Sequence, residues 1–268
     1  INIINRTDNS DNISSENSNV FRWWKPEFII KQFDYFAKEN ITNIKIADEL
    51  FVLNPNHFIK ICDLIIERGY KFNIWAYSRI DTCKPQFLEK LKQAGVNWLG
   101  LGIENPNNVI RQDVHKDSFK EVKILDIINT IRDHGINVAA NYIFGLPNET
   151  QESMLSTLEF AIDANTEMVN FYSAMAYPGS PLYLMSKKNK IKLPNSYAGY
   201  SQHSYETQNL PSSSLAAAEI LKFRDDAWMK YHTNTKYLNL LEKKFGLPAV
   251  KNLQETTKIK LKRRIVTS

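Results

Sequence analysis

The chain has 268 residues, 43% hydrophobic and 24% charged, which is the composition of an ordinary soluble globular protein able to bury a sizeable core. Formal charge is 34 − 29 = +5, and the tail residues Lys258, Lys260, Lys262, Arg263 and Arg264 supply the whole excess, so the tail reads as a solvated helix end and the body has no clear nucleic-acid site. No apolar run approaches a membrane span and no signal-peptide pattern opens the chain, which makes the cytoplasm the expected location.

Residues 1–20 are rich in Asn, Ser and Asp and read as a polar flexible loop. From Phe21 a repeating order begins. Pro26 to Lys38 reads as a helix with Ile29, Ile30, Phe33 and Phe36 on one side, and Ile44 to Ala47 as a short strand ending in Asp48-Glu49. Pro55 to Arg68 is a helix stopped by Gly69, Phe72 to Tyr77 a strand ending in Ser78-Arg79, and Pro85 to Ala94 a helix stopped by Gly95. Trp98 to Ile103 is a strand ending in Glu104. Phe119 to His134 is a helix with Val122, Leu125, Ile128 and Ile131 inward. The apolar run Ile136 to Phe144 then breaks at Gly145 and Pro147 and leads into a helix, Glu152 to Ala164. Met168 to Ala176 is one more strand, closed by Tyr177-Pro178-Gly179. After Tyr183 the pattern stops, and Leu215 onward reads as helix, broken at Gly246 and Pro248.

Strand ends therefore recur near positions 48, 78, 104, 145 and 176, at the roughly 30-residue spacing of a βαβ repeat. Such a repeat gives a parallel sheet of fixed handedness. The expected organisation is a parallel α/β region over residues 21–185 and a mostly helical extension with a basic tail over 186–268. Only two cysteines occur, Cys62 and Cys83, in no metal-ligand or disulfide spacing. Cys62 falls on an apolar helix face with Phe58, Ile65 and Ile66, whereas Cys83, just before Pro85 at a helix start, is placed where a thiol can be exposed.

Polar groups at the carboxyl ends of parallel strands point into one mouth, which is where α/β proteins bind ligands. Here those groups are Asp48, Glu49, Ser78, Arg79, Glu104 and Asn141, with the backbone of Ala176 to Gly179. Acids, an arginine, an amide and free backbone suit a ligand that carries an ammonium, hydroxyls and a heterocycle, and Lys116 in the long loop after Glu104 answers a carboxylate. The competing reading is that each acid only caps the helix that follows it. The same acids also fit a cofactor-independent hydrolase or lyase barrel with Asp48, Glu49 and Glu104 as acid and base. A non-catalytic binding protein is a third reading. The aromatic stretch Tyr197, Tyr200, His203 and Tyr205 lines a substrate pocket or packs the extension on the barrel.

Four segments in order, I-A-D-E-L-F (Ile46 to Phe51), L-G-L-G-I-E-N-P (Leu99 to Pro106), N-Y-I-F-G-L-P-N-E-T (Asn141 to Thr150) and A-Y-P-G-S-P-L-Y (Ala176 to Tyr183), resemble the radical S-adenosylmethionine superfamily. They are most similar to its cobalamin-associated branch, which includes the anaerobic magnesium-protoporphyrin ester cyclase type. The resemblance implies a partial (β/α)6 barrel. It also implies a 4Fe-4S cluster that reductively cleaves S-adenosylmethionine to a 5′-deoxyadenosyl radical, with an electron donor such as flavodoxin or ferredoxin, a small-molecule substrate and, in this branch, a preceding cobalamin domain. Carried over by position, Asp48 and Glu49 hold the methionine amine, Ser78 matches the end of the third barrel strand, and Glu104 faces the ribose. Lys116 meets the methionine carboxylate, Asn141 contacts ribose, and Ala176 and Tyr177 lie near adenine.

The sequence departs from that family in one respect. The cluster motif C-x-x-x-C-x-x-C is absent, and neither Cys62 nor Cys83 is placed to replace it. The expectation is a sequence cut short before Ile1, whose visible strands are the second to sixth of the barrel, with a degenerate cluster-free member as the alternative.

Overall fold

The computed structural model describes residues 23–48, 50–106 and 124–267. Five strands, β1 (Asn43–Lys45), β2 (Asn73–Arg79), β3 (Val96–Glu104), β4 (Asn137–Phe144) and β5 (Met168–Ser173), lie side by side in chain order and pair in parallel throughout. Parallel neighbours in chain order need a crossover on the same side each time, so the sheet curls into a half-barrel with its helices outside. This is the parallel α/β sheet expected from the strand spacing, curled into the partial barrel that the family resemblance implies.

Helix α1 (Pro26–Lys38) precedes β1, and the crossovers carry α2 (Pro55–Glu67), α3 (Pro85–Gln93), α4 (Ile124–Asp133) and α5 (Gln151–Ala164). Proline in the first turn starts α1, α2 and α3, where its missing N–H costs nothing. Thr150 and Ser153 start α5 by a reciprocal capping box. Gly95, after α3, has φ +91°, and a Cβ there would stand 2.5 Å from the Phe72 carbonyl oxygen, so only glycine makes this turn into β3.

Alternation along each strand divides the side chains between two faces. On β2, Ile74, Ala76 and Ser78 are buried toward the helices, while Trp75, Tyr77 and Arg79 stay half-exposed on the concave side. Leu99, Leu101, Val138, Ala140, Tyr142, Phe144, Val169 and Phe171 continue the helix-facing core with Ile61, Ile65, Leu88, Leu91, Ile128 and Ile131. A fully buried side chain of this size contributes about 1.5–3 kcal/mol.

Three local expectations are corrected. Cys83 is buried, not open to solvent, with its thiol donating to Ser78 Oγ at 3.1 Å. Burial pushes its pKa up to about 12, so it behaves as a small core residue like Cys62. Leu125 is 39% exposed, and Ile124 takes the inward position instead. Val122 lies outside the described residues. The segment after Tyr183 also contains structure that periodicity did not show, since α6 (Pro181–Lys188) is capped by Ser180, whose Oγ accepts from Tyr183 N.

Helices α7 (Ala217–His232), α8 (Thr235–Phe245), α9 (Leu247–Thr257) and α10 (Arg264–Thr267) follow, and α7 packs along β5. The outer edge of β5 is closed by side chains rather than by a further strand. Arg224 Nε donates to Phe171 O at 2.7 Å. The Gln202 amide pairs with Ser173 as a strand would, its Oε1 accepting from Ser173 N and its Nε2 donating to Ser173 O, both at 3.0 Å. The basic tail is not simply solvated. Arg263 is 3% exposed. It donates to both Asp225 carboxylate oxygens at 2.8 and 2.9 Å, and to the carbonyls of Gln202 and Ser204 at 2.9 Å each. No helix among the described residues is long and apolar enough to cross a membrane.

Candidate active site at the carboxyl mouth of the half-barrel

The central strand β3 ends irregularly. Its register with β4 shifts between Gly102 and Glu104, so Gly102 faces Asn141 and Glu104 faces Tyr142. Glu104 has φ +63°, and Asn105 N donates to Ile103 O at 2.8 Å. A bond closing across one positive-φ residue is a strained γ-turn, and strain of this kind concentrates at ligand sites. Its consequence is visible at Gly102, where a Cβ would stand 2.8 Å from Glu104 Oε1. The Glu104 carboxylate is therefore folded back over the concave face, beside Asn141 on the next strand.

Asn141 is itself part of a row. Its Nδ2 donates to Leu101 O at 3.0 Å, and its Oδ1 accepts from Asn170 Nδ2 at 2.9 Å. Asn170 is its register partner on β5. Glu104, Asn141 and Asn170 thus stand on three adjacent strands at one level, and Asn170 Oδ1 has no partner among the described residues. A carboxylate and amides in a line suit a pair of neighbouring hydroxyls.

The same γ-turn sends Asn105 inward. Its Nδ2 donates to Glu149 Oε1 at 2.7 Å, and Leu146 N donates to Glu149 Oε2 at 2.9 Å. Glu149 is fully buried. Burial pushes its pKa up to about 7, against the lowering effect of the N–H groups of Leu146, Gly145 and Asn105. Its carbonyl accepts from the hydroxyls of Ser212 and Ser214 at 2.8 and 2.9 Å. Glu149 therefore ties together the loops after β3 and β4 and the strap that leads into α7. Gly145 completes this junction, since a Cβ there would stand 2.5 Å from the Ile220 side chain of α7.

The remaining predicted residues divide. Asp48 Oδ1 accepts from Leu50 N at 3.0 Å in a local turn, and Glu49 and Lys116 lie outside the described residues. Ser78 faces the helix layer, donating to Arg79 O and sharing a hydrogen bond with Thr82 Oγ1, so β2 presents Arg79 rather than Ser78 to the mouth. Arg79 is held by a two-pronged pair with Asp81 at 2.9 and 2.8 Å. Ala176 is buried, Tyr177 N donates to Met175 O, and the exposed Tyr177 ring stacks on Tyr200 at 6.1 Å. Of the aromatic stretch only Tyr200 reaches this edge, and Tyr197 is 93% exposed. Three residues of the site were not singled out from sequence, namely Asn105, Glu149 and Asn170. Asn170 carried a signal, because a polar residue alternating with the apolar Val169 and Phe171 marks the strand face turned away from the helix layer.

The carboxylate and amides of the row suit neighbouring hydroxyls such as those of a sugar. The residues present do not fit an iron–sulfur cluster. The chain has two cysteines, both buried in the helix layer, and among the described residues no group of three His, Cys, Asp or Glu side chains is close enough to hold a metal ion.

Comparison with known proteins identifies the family. The chain is 27% identical over 174 residues to an uncharacterised methyltransferase of Pyrococcus horikoshii, covering 65% of this chain and 37% of that protein. It is 24% identical over 206 residues to the anaerobic magnesium-protoporphyrin IX monomethyl ester cyclase of Cereibacter sphaeroides, covering 75% and 33%. The chain thus spans about a third of the length of these relatives. Its fold is shared with the cobalamin-dependent S-adenosylmethionine radical enzyme OxsB (TM-score 0.54, 16% identity, 88% of this chain and 41% of that one). The radical S-adenosylmethionine methyltransferase TsrM of Kitasatospora setae shares it too (TM-score 0.56, 14% identity, 65% and 33%). Residues 7–161, more than half of the chain, match the radical SAM superfamily, and the chain belongs to that superfamily.

Proposed function

We propose that these residues form the S-adenosylmethionine-binding half-barrel of an enzyme whose whole chain carries out a radical methylation, cyclisation or rearrangement of an organic substrate. The observation that carries the reading is the row Glu104, Asn141 and Asn170, with Glu104 held over the concave face by a strained turn. In this proposal Glu104 accepts hydrogen bonds from the ribose hydroxyls, and the two asparagines fix the sugar against the sheet. Asp48 and Glu49 receive the methionine ammonium, Lys116 its carboxylate, and the backbone of Ala176 and Tyr177 the adenine edge. Ser78 has a supporting part, holding the turn that presents Arg79.

When bound, S-adenosylmethionine supplies radical chemistry after one-electron reduction at a 4Fe-4S cluster. No such step is assigned to this chain, because its cysteines do not fit a cluster. The thiolates, and a cobalamin domain of the kind suggested by the cyclase and methyltransferase relatives, are proposed to belong to parts of the enzyme outside these residues. The expected setting is the cytoplasm, with flavodoxin or ferredoxin as the electron source.

Isothermal calorimetry with S-adenosylmethionine tests the binding half of this proposal on the 268-residue chain. Loss of one hydrogen-bonded contact in Asn141→Ala or Glu104→Ala should weaken binding roughly tenfold or more. Affinity unchanged in both variants would refute the assignment.

A further inference from the structure

Below the Glu104 row, the concave face holds a cation with no carboxylate partner among the described residues. Lys45 of β1 extends over two rings of β2, its Nζ 5.8 Å from the centroid of Trp75 and 5.3 Å from that of Tyr77. Several other lysines in the structure reach a carboxylate, Lys90 to Asp63, Lys244 to Glu167 and Lys222 to Asp226. Lys45 reaches none among the described residues, and the concave positions of the five strands below Glu104 carry only aromatic, amide, aliphatic and small side chains.

Two phenols stand on the concave face on either side of the row, Tyr77 below it and Tyr172 toward the mouth. The Tyr77 ring lies over Gly100, where a Cβ would stand 2.7 Å from its Cδ1, so glycine on β3 is what lets the ring lie flat against the sheet. Tyr172 projects from β5, two residues beyond Asn170 on the same face. Its pKa is raised by burial first and then by Tyr77, and lowered by Arg224 and Lys45, which sets Lys45 and Tyr77 within electrostatic reach of it across the barrel. Neither the Tyr77 nor the Tyr172 hydroxyl has a hydrogen-bond partner among the described residues. The floor is closed by a stack in which Trp75 lies on Trp98 at 5.3 Å and Trp98 on Phe245 of α8 at 5.7 Å. An ammonium held over the Trp75 and Tyr77 rings, with phenols of Tyr77 below the row and Tyr172 on its mouth side and no carboxylate partner for Lys45 among the described residues, matches a ligand with an anionic head and a flat apolar body.

We propose that Lys45, Tyr77 and Tyr172 form a subsite for an aromatic or otherwise flat organic carboxylate, placed next to the nucleoside row as the substrate pocket of the half-barrel. The pocket's role as a substrate site rests on the S-adenosylmethionine reading. Its carboxylate chemistry does not.

The test uses 2-naphthoate and its neutral counterpart 2-naphthylmethanol, titrated into the 268-residue chain and followed by calorimetry and tryptophan fluorescence. Naphthoate should bind about tenfold more tightly than the alcohol, and Lys45→Met should remove that difference while Lys45→Arg keeps most of it. Tyr77→Phe, which keeps the ring, should weaken naphthoate by a factor of roughly three to ten. S-adenosylmethionine affinity should be the same in Lys45→Met as in the parent chain. Equal binding of acid and alcohol, or naphthoate binding indifferent to Lys45→Met, overturns the subsite. Competition between naphthoate and S-adenosylmethionine, with Lys45→Met weakening both, also overturns it and gives the lysine to the cofactor. Lys45-dependent naphthoate binding in a chain that binds no S-adenosylmethionine supports the carboxylate site and refutes the nucleoside reading instead.

Discussion

Glu149 shows how one buried carboxylate can govern a mouth it does not line. It accepts from Asn105 and Leu146, so removing it leaves donors in the interior without acceptors, and an unmet buried donor costs about 1–3 kcal/mol. Glu149→Ala should therefore destabilise the chain by roughly 2–4 kcal/mol. Glu149→Gln, which keeps one carbonyl oxygen, should cost roughly half of that. Urea denaturation should show the midpoint falling in this order, and equal midpoints for the two variants would argue against the acceptor role. The residue was hard to find in the sequence because its meaning lies in a contact with Asn105, 44 positions away. Glu104 and Asn141 were legible because each ends or lines a strand whose period is clear, and position alone brings such residues to the mouth. Ser78 was misread by one residue of strand phase, since the face that holds Ile74 and Ala76 also holds Ser78.

At the scale of elements, what sequence shows best is what repeats. The strands and the helices started by proline or stopped by glycine stand close to their expected positions because apolar period and backbone punctuation both fix them. The edge of β5 is different. Its outward groups are met by Arg224, which comes from the expected helix α7, and by Gln202, which arrives from a stretch that reads as irregular. Gln202→Ala should expose Ser173 N and O, weaken the chain by about 1–3 kcal/mol, and leave an unpaired parallel edge able to recruit another chain. Native-state hydrogen exchange should quicken at Ser173 while the amides of β3 keep their protection. Exchange that quickens equally in β3 would mean that the whole sheet loosened rather than its edge. The missed helix α6 had its signals, Ser180 as cap and Pro181 in the first turn. Its face is too weakly apolar for a periodicity argument to find it.

For the whole molecule, two buried groups set opposing responses to pH. His232 packs against Trp228, with ring centroids 4.2 Å apart, and its Nδ1 lies 2.8 Å from the Trp228 carbonyl oxygen. Burial pushes its pKa down to about 4 from 6.5. The unfolded chain therefore takes up a proton below 6.5 that the folded chain refuses until about 4, and stability falls as pH drops through that window. Glu149 works the other way. Its folded pKa of about 7 lies above the ordinary 4.5, so its contribution is complete below 4.5 and is lost as pH rises through 7. One proton of difference changes stability by about 1.4 kcal/mol per pH unit, with opposite signs, so between 4.5 and 6.5 the two slopes offset each other. Single substitutions should separate them. The parent's stability minus that of His232→Asn should rise by about 1.4 kcal/mol per unit from pH 4 to 6.5. The parent's stability minus that of Glu149→Gln should fall at the same rate from pH 4.5 to 7. Chemical denaturation at half-unit intervals measures both differences, in which every group common to parent and variant cancels. A flat difference curve for either variant would mean that its group titrates alike in the folded and unfolded chain, and that the junction it serves, α7 for His232 and the mouth for Glu149, is open to water.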